Sequence, residues 1–171
     1  MRMRHRAGTA VVALALAAAS AGTALATECE HDDAFLTAAH QGNMAEIAAG
    51  KDAGRHALMR CAKETGKVLV SDHTRMDESL RALAKRLKVT LPKDVTAAQQ
   101  QEMADLAKRA GSRDYDKMWL KAQETGHVAV LKLIDGEVKS GKDDEVRDAA
   151  RAARPFVAHH LDLVRDCMRM R

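Results

Sequence analysis

The stretch Lys67–Leu87, KVLVSDHTRMDESLRALAKRL, decides the fold class. Leu69, His73, Met76, Leu80, Leu83 and Leu87 recur at spacings of 4, 3, 4, 3 and 4, which keeps them on one face of an α-helix. A histidine, with Asp72 beside it, therefore stands where the pattern asks for leucine.

Working outward toward the C-terminus, Pro92 stops this helix near Lys88 and Val89–Val95 is a loop. Thr96-x-x-Gln99 is a capping box for a short helix to about Arg109, with Gly111 at its C-terminal cap. A third main helix starts at Ser112 to Asp114 and carries Leu120, Glu124, His127, Leu131, Ile134 and Val138 on one seam. Ser140-Gly141-Lys142-Asp143 is a turn. The fourth helix sets Val146, Ala149, Ala153, Phe156, His160, Leu163 and Cys167 on its seam, with Pro155 expected to kink or interrupt it. Toward the N-terminus, a first helix begins near Asp32-Asp33, whose charges suit a helix start, and aligns Phe35, Ala39, Gly42, Glu46 and Gly50. It ends at Gly54 or at Gly66.

Four apolar seams make an all-α four-helix bundle the economical fold, with the short extra helix in the connection between helices 2 and 3. That connection, Val89 to Gly111, is long for a hairpin. It is either a crossover along the bundle, as in ferritin-like folds, or a cap at one end of an up-down-up-down bundle.

Residues 1–26 read as a secretory signal peptide, leaving residues 27–171 as one helical domain. Arg2, Arg4 and Arg6 precede the apolar run Ala10–Ala19, and Ala24-Leu25-Ala26 offers a small-residue cleavage site. The expected location is therefore secreted or cell envelope. Removing these residues takes away three arginines and no acid, so the formal charge falls from +4 to +1. Mixed signs without a basic block argue against a nucleic-acid partner, and no later segment is apolar enough to span a membrane. The aromatics are only Phe35, Tyr115, Trp119 and Phe156, so small and aliphatic side chains fill the core. Tyr115 and Trp119 read as packing residues.

Each main helix places one ionisable residue on its seam: Glu46, His73, His127 and His160. Imidazoles with a carboxylate suit one transition-metal ion, zinc, iron, manganese or copper, and Asp72 is a further ligand or orients a histidine. The alternative is a non-enzymatic cell-envelope structural or interaction module, with a protein partner on an outer face. Its Glu/His layer is then purely structural. A di-iron centre needs two Glu-x-x-His pairs, and only Glu124-x-x-His127 is present, since Val70 and Val157 stand three before His73 and His160. His31, His40, His56 and His159 are assigned to the surface. With no phosphate loop, nucleophile elbow or CxxC pair, the reading leans away from an enzyme.

Cys29, Cys61 and Cys167 allow one disulfide and one leftover thiol. An up-down-up-down bundle favours Cys29 with Cys167. A crossover bundle favours Cys61 with Cys167.

Phe35-Leu36-x-x-Ala39 with Glu46, Asp72-His73-Thr74, Leu80 with Leu83-Ala84, and Leu91-Pro92 form an ordered set. The set continues with Tyr115-Asp116-x-x-Trp119-Leu120, His127, Pro155 and His160-Leu161. Together they resemble the bacterial domain-of-unknown-function family 4142, whose members are described as predicted outer membrane or putative secreted proteins. Tyr115 and Trp119 stand where phenylalanine and tyrosine are common, so both positions stay aromatic. The resemblance implies a ferritin-like bundle exported to the envelope or beyond. It supplies no reaction, and it marks Glu46, Asp72, His73, His127 and His160 as recurrent positions.

Overall fold

The computed structural model describes residues 21–170, with side chains from residue 32 onward. The leader expected at residues 1–26, except for its backbone from residue 21, lies outside the described residues, as do the side chains of Cys29 and His31. Within the described residues every element is a helix: α1 Ala21–His56, α2 Arg60–Leu87, α3 Ala97–Ala107, α4 Arg113–Ser140 and α5 Asp144–Arg169. None of them is long and apolar enough to cross a membrane.

The first helix starts earlier than Asp32-Asp33, because the alanine-rich residues before it favour helix. Asp32 instead caps the far hairpin. Its carboxylate accepts from the backbone of Lys142 at 3.0 Å and Asp143 at 2.8 Å. Neither Gly54 nor Gly66 ends α1. The helix stops at His56, and the two glycines lie inside α1 and α2. The useful glycines are Gly50 and Gly66, which face each other where α1 crosses α2. A Cβ on Gly50 would stand 2.5 Å from the Gly66 carbonyl oxygen, and one on Gly66 would stand 2.7 Å from that of Gly50. Only glycine permits so close a backbone approach.

α1 packs along α2 and α4 along α5, while α2 also packs on α5 and α1 on α4. The four long helices thus form a ring in the order α1, α2, α5, α4. Cys61 at the start of α2 is bonded to Cys167 at the end of α5, with Cα atoms 5.6 Å apart. Of the two cysteine pairings left open, this is the one that fits a crossover. The backbone N–H of Gly111, just before α4, donates to the carbonyl of His56 at the end of α1. So α4 begins at the disulfide end, where α2 also begins, and the segment between them must travel back along the molecule. α3 lies in that segment, with the Thr96–Gln99 capping box formed. α2 ends before Pro92 is reached, at Lys88 in the left-handed region.

α5 runs through Pro155 without interruption. Arg151 and Pro155 are both exposed, so the Arg151 carbonyl that loses its helical donor meets water. The α5 seam is turned by about one residue from the expected one. Ala150, Val157 and Val164 are buried, and Phe156 is 43% exposed.

The apolar core has two parts. Near the disulfide, Leu69, Tyr115, Trp119, Leu120 and Val164 pack together. At the other end, Leu36, Leu80, Leu83, Ile134 and Val146 do so. Between them in sequence along the helices lie buried polar side chains: Asn43, Asp72, His73, Gln123, His127 and His160.

Candidate metal centre

Three helices each deliver one imidazole to that layer. His73 on α2, His127 on α4 and His160 on α5 are 5%, 2% and 0% exposed. Their ring centroids stand 5.1 to 6.0 Å apart. The helical spacing that set them on apolar faces also turns them inward together.

Each ring has one nitrogen held by a hydrogen-bond acceptor. His73 Nδ1 donates to Asn43 Oδ1 at 2.9 Å, His127 Nδ1 to the Gln123 carbonyl at 2.9 Å, and His160 Nε2 to Asp72 Oδ2 at 3.0 Å. An acceptor fixes the proton on the nitrogen facing it, so the opposite nitrogen carries a lone pair. Those opposite nitrogens, His73 Nε2, His127 Nε2 and His160 Nδ1, are buried and have no hydrogen-bond partner. One ligand atom from each ring lies within 4.8 Å of the other two. This is the arrangement of metal-binding histidines, in which an outer partner sets tautomer and ring angle.

Burial opposes charging of all three rings. It lowers His73 to about 3, with the neighbouring His160 and His127 adding to the effect. It lowers His127 to about 4 against the pull of the Gln123 carbonyl. His160 is lowered too, although Asp72 works the other way. The lone pairs are therefore free of protons at neutral pH. Asp72 is pushed up by burial, but His160 and Arg75 outweigh that and hold its carboxyl below the usual range. It is an orienting anion here, shared between a ring and a guanidinium.

Glu46 stands beside the group rather than in it. Its Oε1 is 4.0 Å from His127 Nδ1, the nitrogen that also faces the Gln123 carbonyl. The side chain is 19% exposed, yet Oε2 is buried without a partner. Burial pushes its carboxyl up to about 8, with Gln123 opposing and Glu102 reinforcing. So of the five expected residues, the structure brings three histidines together, sets Asp72 behind one of them, and leaves Glu46 at the edge.

Sequence reasoning missed Asn43. Asn43 and His73 are equidistant from residue 58, the middle of the loop between α1 and α2, so they meet at one level. That signal needed the end of α1, which the two competing glycines obscured. It also misplaced His40, which is buried, with Nδ1 2.6 Å from Asp77 Oδ1 and Nε2 3.1 Å from the Pro92 carbonyl. This contact ties the crossover segment to α1. Glu124, expected on the α4 seam, is only half-buried and faces Lys121 and Arg165.

A family model described as "Domain of unknown function (DUF4142)" matches residues 15–167. No curated protein and no solved structure matches the chain.

Proposed function

We propose that this chain, which belongs to the DUF4142 family, is an exported ferritin-like helical bundle that holds one transition-metal ion on His73, His127 and His160. The observation that carries the reading is three buried imidazoles from three helices, with one ligand atom of each within 4.8 Å of the others and one nitrogen of each without a partner. Leaving buried polar atoms unsatisfied is costly, and one ion satisfies all three at once. An imidazole set suits zinc, copper or iron better than harder cations such as manganese. The three residues would offer a bound zinc neutral imidazole nitrogens, a ligand type it takes readily. Asn43 and Asp72 hold two of the rings in orientation.

The ring of four long helices with a lengthwise crossover supports the ferritin-like label. A basic start, a short apolar run and a small-residue site support export, as does a disulfide, which persists in oxidising compartments. The family match running from residue 15 to 167 covers nearly all of the domain read from residue 27 onward, which supports treating that part as one unit.

Elemental analysis of natively exported protein tests the reading. The expected result is about one zinc, copper or iron per chain, lost when His127 and His160 both become alanine while far-UV helicity persists. Metal-free protein that shows no thermal shift with any of these ions overturns it. The structural-layer alternative must supply partners for the same three nitrogens.

A further inference from the structure

Three neutral imidazoles supply donors but no charge. α1 is the one long helix that lends no histidine, and it carries Glu46 one turn beyond Asn43. The Glu46 carboxylate already reaches the edge of His127, and one of its oxygens is sealed from water with no partner. Gly126 on α4 faces it, and a Cβ there would stand 3.8 Å from Glu46 Oε1, an ordinary contact distance.

We propose that Glu46 turns toward the three rings when an ion binds and becomes its fourth ligand, closing a His3Glu site that selects divalent ions over cuprous copper. This rests on the three-histidine reading above. A dication in a low-dielectric interior needs a compensating anion close by. Asp72 is already shared between His160 and Arg75, so it neutralises little more. Glu46 is the carboxyl at the group's edge with a sealed, uncommitted oxygen, and it would release its proton to solvent as the dication binds. A cuprous ion, with one charge and a tolerance for three nitrogen donors, gains less from it. A site with four protein ligands leaves no position for a substrate, so it retains or buffers metal and does not turn anything over.

The test uses the full exported chain, cobalt(II) as a coloured stand-in for zinc, and azide as an external ligand. Wild-type protein is expected to give intense four-coordinate cobalt bands that azide does not move. In Glu46→Gln and Glu46→Ala, azide should shift the bands, and cobalt and zinc affinity should fall at least about tenfold, while cuprous affinity falls by a smaller factor. Azide-sensitive bands in the wild type overturn the proposal, and that measurement needs no variant to fold. Equal cobalt affinity in wild type and Glu46→Ala overturns it as well. Wild-type protein that takes up neither cobalt nor zinc sinks the three-histidine reading and this inference with it, a result distinct from an open fourth position.

Discussion

Tyr115 and His127 lie on one helix about three turns apart, both sealed from solvent, and their polar atoms meet opposite fates. At the Tyr115 end the polar groups are answered across helices. The Tyr115 hydroxyl donates to Asp52 at 2.7 Å, and Trp119 Nε1 donates to the Ala49 carbonyl at 3.1 Å. The Asp116 carboxylate accepts from the backbone N–H groups of Leu58 and Met59 at 2.9 and 3.0 Å. These bonds hold α4 against the α1–α2 hairpin. At the His127 end, three neighbouring rings each keep one nitrogen unanswered. One region uses buried polarity to fasten helices. The other keeps it in reserve for something that arrives later.

The strongest way to break this contrast is at the fastened end. Changing Cys61 and Cys167 together to serine opens a link across 106 residues. A loop of that length predicts a loss of about 4–5 kcal/mol in urea unfolding. The metal-to-protein ratio should hold wherever the variant stays folded.

Next comes a matched pair. Asp116→Ala strands two partly buried N–H groups and should cost about 1–3 kcal/mol. His127→Leu removes an atom that has no partner and a bond to a carbonyl of its own helix, so metal-free stability should stay within about 1 kcal/mol of wild type. Metal uptake should nevertheless vanish. Equal losses in the two variants would erase the distinction between the regions.

Gly66→Ala probes packing alone. The added methyl meets the Gly50 carbonyl, so helices must part, with an expected loss of about 1–3 kcal/mol and no change in metal content.

A pH profile of the metal-free protein tests the His127 end without any substitution. Folded His73 and His127 resist protonation down to about 3 and 4, whereas the unfolded chain takes up those protons below the ordinary histidine value of 6.5. Stability should therefore fall as pH drops below 6.5. Glu46 has the opposite sign. Its folded carboxyl keeps its proton up to about 8, while the unfolded chain ionises above 4.5, so stability should fall as pH rises between those values. Between 4.5 and 6.5 the lowered histidines outweigh the single carboxyl, which puts the maximum near 6.5. Urea midpoints across pH check this, and Glu46→Gln should abolish the decline from 6.5 to 8.

Much of this was legible in residue spacing. The periodicity around His73 identifies helix, and the same reasoning places His127 and His160 on inward faces, where the structure buries them. His159, one step away, is exposed as assigned. The errors cluster on α1 and at face edges. Phe156 reads as core by spacing but lies outside, and His40 reads as surface but is buried. A stripe at 3.6-residue period is wide enough to admit either edge, and the neighbour it packs against chooses between them.

By itself, the amino-acid sequence determined that the chain is helical, where its turns fall after Ser140, and that histidines occupy apolar faces. These follow from contacts within a few residues, which spacing encodes. Only the tertiary structure decided that Cys61 meets Cys167, that Asn43 holds His73, and which nitrogen of each ring stays free. Those depend on how far one helix slides against another, and a helix can slide a full turn without changing its own pattern.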